Sequence, residues 1–108
     1  MLDKKVLDEI KKKILEVSNP DKIIVFGSYI YGTPTKDSDI DIIVVKSKVD
    51  SKIGEYYKIR KKLSDMDYAF DIIVVSTEEY NFYSSYWPNS VISEADKKGV
   101  KLYDKEGV

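Results

Sequence analysis

The chain has 108 residues, of which 43% are hydrophobic and 34% charged, and its formal net charge is −1. This length fits a single domain over residues 1–108, and the apolar content is enough to build a core, which argues against disorder. The even balance of charge lacks the basic excess of proteins that grip a nucleic acid backbone, so no direct DNA binding is expected.

Cysteine and histidine are absent from the sequence. Disulfide scaffolds, zinc fingers, thiolate nucleophiles and histidine general bases are therefore excluded, and any chemistry falls to carboxylates, hydroxyls, lysine and tyrosine. The sequence contains no apolar run long enough to cross a membrane, and its first residues lack the apolar stretch of a signal peptide. We expect a cytoplasmic protein without membrane association.

The first half of the chain predicts a helix and two strands. Apolar residues recur at helical spacing over residues 3–17, where Ser18, Asn19 and Pro20 end the pattern. Residues 22–26 are β-branched or aromatic and run into Gly27 and Ser28, which predicts a strand followed by a tight turn and a short helical turn. A second strand is expected at 39–45.

The second half predicts a helix at 53–66, a strand at 70–75, a helix that starts at Thr77 as its N-cap, a helix at 89–98 that ends at Gly99, and an edge strand at 100–103. The strands at 39–45 and 70–75 share the run Asp-Ile-Ile-Val-Val and are apolar on both faces, which favours parallel strands covered on each side. The fold class is α/β (α+β), with a small mixed sheet of three to four strands and flanking helices.

Acidic residues stand where both of these strands begin. Asp39 and Asp41 are two residues apart, so their side chains point to the same face and repel unless a cation lies between them. Helical crossover places the starts of parallel strands at one sheet edge, which brings Asp71 beside them. Three carboxylates there suit Mg²⁺, which prefers oxygen ligands. The alternative is that each side chain is a solvated polar residue at a strand entrance.

The run from Val25 to Val44, VFGSYIYGTPTKDSDIDIIV, resembles the signature of the DNA polymerase-β-like nucleotidyltransferases, in which Gly-Ser is followed by a glycine and then by Ser-Asp-Ile-Asp. Within that superfamily the chain resembles the minimal nucleotidyltransferases over nearly its whole length. The resemblance implies two Mg²⁺ ions bound by Asp39, Asp41 and Asp71. It also implies ATP as substrate, with Gly27 and Ser28 binding its terminal phosphates and Ser38 belonging to the nucleotide site.

The sequence departs from this pattern at Tyr31, where many family members have a basic residue before the second glycine. Lys36 is the candidate that would supply the missing positive charge, although its alternative is an ordinary loop lysine. Tyr29 and Tyr31 could stack on a base or pack under the sheet. The missing basic residue puts full activity of the site in question.

Minimal nucleotidyltransferases occur as antitoxins beside helical HEPN-type ribonuclease toxins, and the resemblance implies transfer of AMP to a toxin tyrosine. Alternatives are transfer to a small molecule such as an aminoglycoside, and a non-catalytic binding antitoxin. Two surfaces fit a protein partner, which could also be a second copy of the chain. They are the apolar strand face at Ile43, Val45, Ile73 and Val75, and the aromatic residues Tyr80, Phe82, Tyr83, Tyr86 and Trp87. A helix that covers its own sheet explains the aromatic residues equally well.

Overall fold

The computed structural model describes residues 2–107, and within this range helices and strands alternate except where α4 is followed directly by α5. They are α1 (Lys4–Val17), β1 (Lys22–Phe26), α2 (Ser28–Tyr31), β2 (Ile40–Lys46), α3 (Lys52–Leu63), β3 (Phe70–Ser76), α4 (Thr77–Tyr86), α5 (Val91–Lys98) and β4 (Val100–Asp104). No helix in residues 2–107 has the length and apolar character needed to span a membrane.

The four strands form one mixed sheet in the order β3-β2-β1-β4. β1 pairs antiparallel with both β2 and β4, whereas β2 and β3 are parallel, as the helical crossover through α3 predicts. Because β1 runs against β2, the last residue of β1 lies beside the first residues of β2. One edge of the sheet therefore collects the end of β1 and the starts of β2, β3 and β4.

Both faces of the sheet are covered, as the apolar character of its strands predicts. On one face, Ile10 and Ile14 of α1 and Ile59 and Leu63 of α3 pack against the even-numbered residues of β2, including the fully buried Ile42. On the other face, α4 and α5 cover the odd-numbered residues of β2; the buried members of this cluster are Ile24, Phe26, Ile43, Val45, Val75, Tyr80, Ile92 and Ala95. This apolar strand face is thus covered by the chain itself and is not a partner surface.

Several element ends differ from the predictions by a few residues. α3 ends at Leu63 rather than at residue 66, because Ser64 closes the helix with its N–H and hydroxyl on the Lys61 carbonyl. The N-cap of α4 is Ser76 rather than Thr77, and it forms a reciprocal capping box with Glu79. The last helix starts at Val91 behind the N-cap Ser90 and ends before Gly99 as predicted.

A buried carboxylate joins three elements at the sheet edge opposite the acidic residues. Glu55 of α3 is only 8% exposed, and it accepts a hydrogen bond from Ser18 at the end of α1. Lys46 of β2 and Lys58 of α3 lie 3.3 and 3.1 Å from its Oε1 atom. The network ties α1, α3 and β2 together and so holds the strand on which Asp41 lies.

Candidate active site

The turn after β1 is built around a glycine that no other residue would replace without strain. Gly27 has φ 88° and ψ −162°, a conformation almost confined to glycine, and it is the N-cap of α2. Its carbonyl accepts from the N–H groups of Ile30 and Tyr31, at 2.9 and 3.1 Å. The N–H groups of Ser28 and Tyr29, at the start of α2, have no partner within the helix and are available to an anionic ligand.

The first strand delivers this turn to the carboxylate of Asp41. Asp41 pairs with Phe26, the residue just before Gly27. A Cβ atom built on Gly27 would lie 2.0 Å from Asp41 Oδ2, so the carboxylate occupies the space that a side chain at position 27 would need. The backbone of the glycine turn and the strand carboxylate therefore form one continuous surface.

Asp71 arrives at the same place from β3. Asp41 and Asp71 are direct partners in the parallel β2–β3 register, as the sequence predicts. Asp39 precedes β2 and lies two residues from Asp41, which places it on the same side of the chain. Asp41 is half-buried, whereas Asp39 and Asp71 are exposed. All three lie towards the sheet face that α4 and α5 cover.

The charge of Asp41 is unfavourable in this position. Burial raises the pKa of Asp41 to about 6, and the neighbouring negative charges of Asp71 and Asp39 contribute to the rise. Such a shift means that the ionised form lacks compensation by positive charge or hydrogen bonding. A divalent cation would supply that compensation, and three carboxylates are the oxygen ligands that Mg²⁺ prefers. In ligand type and charge, the residues fit the implied metal.

The side chains of Asp39, Asp41 and Asp71 do not surround a space of the size of a metal ion. Among residues 2–107, no three acidic side chains stand close enough together to surround a metal ion. Since Asp39 and Asp71 are exposed, their side chains are free to change rotamer at little cost. Metal binding therefore requires these two side chains to turn towards Asp41.

Ser38 and Lys36 lie in the loop before β2. Ser38 Oγ accepts a hydrogen bond of 2.9 Å from the Thr35 N–H, so its hydroxyl is engaged in its own loop. Lys36 is exposed and lines a cleft of about 570 Å³. The other residues of that cleft are Tyr29, Asp37, Ser38, Met66, Asp67, Tyr68 and Ala69. Both residues thus lie near the end of the sheet that carries Asp39, Asp41 and Asp71, which we call the acidic edge. Neither residue contacts the Gly27 turn in this conformation.

The two tyrosines of α2 have different environments. Tyr29 is partly buried against the core on the α1–α3 face and meets Tyr68 edge-on at 6.1 Å between ring centroids. Tyr31 is 39% exposed, and its ring lies beneath the ammonium group of Lys98, at 5.6 Å from the ring centroid. Packing thus accounts for Tyr29, while Tyr31 lies at the surface next to α5.

The sequence did not predict that two basic side chains lie near the acidic edge. Arg60 of α3 lines a cleft of about 320 Å³ together with Asp39 and Tyr68, and Lys98 of α5 covers Tyr31. Both look like ordinary helix-surface residues in the sequence, because only the packing of α3 and α5 on the sheet brings them to this edge. No local pattern could have identified them.

A mixed sheet with carboxylates at the starts of two strands, beside a glycine-serine turn, is the arrangement that the sequence resemblance predicts. The chain belongs to the family described as polymerase beta, nucleotidyltransferase, whose model matches residues 8–106. The sequence motif, the fold and the family match therefore agree. The protein is a nucleotidyltransferase with the polymerase-β-like fold.

A relative of known name covers almost the whole chain. A protein of Methanocaldococcus jannaschii named as a protein adenylyltransferase is 27% identical over 99 residues, which is 90% of this chain and 95% of the relative. The match therefore spans nearly all of both sequences.

Solved structures share the fold at lower identity. A toxin–antitoxin complex with AMP-PNP contains a chain that is 23% identical and superposes with a TM-score of 0.66, over 91% of this chain and 73% of that one. A complex of a tri-AMPylated Shewanella oneidensis HEPN toxin with its MNT antitoxin gives a TM-score of 0.53 at 19% identity, over 93% of this chain and 74% of that one. At these identities the likeness concerns the fold.

Proposed function

We propose that the chain is a metal-dependent adenylyltransferase that serves as an antitoxin, moving AMP from ATP to a tyrosine of a helical HEPN-type ribonuclease toxin. The observation that carries the proposal is the meeting of the Gly27 turn with Asp41 and Asp71 at one sheet edge. The relative named as a protein adenylyltransferase and the toxin–antitoxin complexes of the same fold support this substrate class.

The proposed reaction divides the edge into two parts. The N–H groups at the start of α2 bind the terminal phosphates, on the β1 side of Asp41. The acceptor hydroxyl approaches from the β3 side, next to Asp71, and its oxygen forms a bond to the α-phosphorus. The bond from that phosphorus to the bridging oxygen breaks, and pyrophosphate leaves. In this proposal, Asp71 takes the hydroxyl proton.

Asp39, Asp41 and Asp71 would hold the Mg²⁺ ions, which when bound offset the negative charge on the entering and leaving oxygens. Asp41 is the fixed member, because it is half-buried against Gly27. Asp39 and Asp71 are the adjustable members. This division fits a site that assembles when nucleotide and metal arrive together.

An uncharged aromatic surface supports a protein acceptor. The stretch from Tyr80 to Ser93 contains no charged residue, although 34% of the chain is charged. Within it, Phe82, Tyr86 and Trp87 are 48%, 73% and 55% exposed, and together with Tyr83 they form an aromatic patch on α4 and its C-terminal end. Exposed apolar surface of this kind is typical of a protein-binding site.

The test uses purified chain, Mg²⁺ and a HEPN-type protein as the candidate acceptor, with ATP labelled at the α-phosphate. We expect label on a tyrosine of the partner, and no label when the ATP carries it on the γ-phosphate. Label on an aminoglycoside instead would show that the acceptor is a small molecule.

The matched control is the double variant Asp39→Asn with Asp41→Asn. We expect it to lose transfer and to fail to neutralise the toxin in growing cells. If the double variant neutralises the toxin as well as the natural chain, contact alone suffices and the catalytic proposal is wrong.

A further inference from the structure

The turn that would receive the nucleotide phosphates carries no positive charge of its own. From Gly27 to Thr35 the sequence contains no lysine or arginine. Three carboxylates lie across from this turn. A triphosphate entering here would meet more negative charge than the divalent cations alone neutralise, so a basic side chain from another element is needed.

The end of α5 is held against the end of β1. Val100, the first residue of β4, pairs with Val25, two residues before Gly27. A Cβ atom on Gly99 would lie 2.7 Å from Ile24 Cγ2 and 3.0 Å from the Val25 carbonyl oxygen, so the chain at Gly99 is pressed onto β1. Lys98 directly precedes this contact. Its backbone therefore has a defined position at the edge where the Gly27 turn lies.

The side chain of Lys98 points towards α2, whose first N–H groups are proposed to bind the terminal phosphates. Its ammonium group lies 5.6 Å from the centroid of the Tyr31 ring. Tyr31 is the last residue of α2 and follows Gly27 by one helical turn. In the described part of the chain, Lys98 forms no ion pair with a carboxylate, so its charge is available to a ligand. Because the sheet order is β3-β2-β1-β4, Lys98 and Asp71 lie on opposite sides of Asp41.

The environment of Tyr31 agrees with this arrangement. Burial raises the pKa of the Tyr31 hydroxyl, and the carboxylates of Glu94 and Asp41 also contribute. Lys98 is the positive side chain of α5 next to Tyr31, one helical turn after Glu94.

We propose that Lys98 supplies the positive charge that binds the terminal phosphates of the nucleotide. This rests on the proposed function, because it assigns a further residue to the same site. Lys36, the residue that the sequence suggests for this role, lines the cleft near Tyr68 on the other side of the acidic edge. The roles of Lys98 and Lys36 can therefore be tested separately by substitution.

The experiment measures the dissociation constants of ATP and AMP for the full chain in the presence of Mg²⁺, by competition with a fluorescent ATP analogue. Lys98→Ala is expected to weaken ATP binding about five- to tenfold, the effect of losing one partly solvated charged contact. AMP binding should change less than about twofold, because AMP lacks the β- and γ-phosphates. A merely structural role of Lys98 would affect both ligands equally.

Lys97→Ala is the matched control, since it removes the same charge one residue away, from a lysine that does not cover Tyr31. We expect it to leave both constants within about twofold. Tyr31→Arg, added to Lys98→Ala, places a positive charge at the residue that the Lys98 ammonium group covers, and should return ATP binding to within about twofold of the natural chain.

The proposal is overturned if Lys98→Ala binds ATP normally, if it loses ATP and AMP affinity to the same degree, or if Lys36→Ala alone shows the ATP-selective loss. A natural chain that binds no ATP in this assay would reject the proposed function itself, and the role of Lys98 with it. Normal ATP binding by the natural chain together with an unaffected Lys98→Ala variant rejects only the assignment of Lys98.

Discussion

The carboxylate of Asp41 lies directly over the backbone of Gly27, in the space that a side chain at position 27 would fill. Gly27 directly follows β1, and Asp41 lies on the neighbouring antiparallel strand β2. Their contact therefore determines the distance between the glycine turn and the carboxylate. Because Gly27 also has a positive φ, two independent constraints require glycine at this position.

Gly27→Ala is therefore expected to lower the free energy of unfolding by about 2–4 kcal/mol, from backbone strain and the clash with Asp41 together. Gly107→Ala is the control, since Gly107 also has a positive φ but no atom within 4 Å of its Cβ position. It should cost about 1 kcal/mol or less. Denaturant unfolding measures both, and equal losses would mean that the contact with Asp41 carries no energy. If the clash matters, Gly27→Ala should cost less in an Asp41→Ala background.

Asp41→Asn should make the protein more stable at neutral pH while abolishing transfer. The pKa of Asp41 is raised to about 6 in the folded chain, so the folded state holds this proton more tightly than the unfolded state. Stability from this group is then present at low pH and declines as the pH rises from about 4 to about 6. Since much of the side chain meets solvent, we expect a gain of about 1 kcal/mol above pH 7. Parallel stability–pH curves for variant and natural chain would contradict this.

Magnesium should relieve the same repulsion. We expect millimolar Mg²⁺ to raise the melting temperature of the natural chain by a few degrees, and more when ATP is present. The variant Asp39→Asn with Asp41→Asn should not respond. Asp50→Asn, which removes an exposed carboxylate from the β2–α3 loop, should respond like the natural chain. An equal rise for the double variant would show that the ion binds elsewhere.

Glu55→Gln tests the buried network at the opposite sheet edge. Burial alone would raise the pKa of Glu55, but Ser18, Lys58 and Lys46 hold it below its ordinary value. Its stabilising contribution is therefore present at neutral pH and is lost as the pH falls through the folded-state pKa. We expect a loss of about 2 kcal/mol at pH 7 by denaturant unfolding, because the two lysines lose their charged partner.

The control for the buried network is Glu16→Gln, which removes the half-exposed partner of Lys62 and should cost less than about 0.5 kcal/mol. If both variants lose the same amount, burial of the Glu55 network adds nothing to its strength.

The aromatic patch should determine partner binding but not nucleotide binding. Replacing Tyr86 and Trp87 by serine is expected to weaken binding of the proposed HEPN-type partner at least tenfold, because large exposed aromatics dominate such interfaces. The ATP dissociation constant should stay within about twofold. Isothermal titration with each ligand measures the two effects. The exposed Ile53 of α3, changed to serine, is the matched control and should leave partner binding intact.

The sequence determined the local elements and the existence of the acidic edge. Helical periodicity located α1, β-branched runs located β1, β2 and β3, and Gly27 marked the turn between β1 and α2. The repeated run that begins at Asp41 and again at Asp71 predicted a parallel pair, and a parallel pair must bring both acids to one edge. These features could be read directly because each depends on residues close in sequence or on a general rule of chain connection.

Only the tertiary structure decided the contacts that depend on packing between distant elements. Thr77 is not the cap of α4, because its hydroxyl donates to Asp21, 56 residues earlier, while Ser76 takes the capping position. The apolar strand face proved to be covered by α4 and α5, and Lys98 came to lie over Tyr31. Periodicity shows which face of a helix is apolar, but the strand it covers and the end at which its charges emerge are set by how the side chains of all elements fit together.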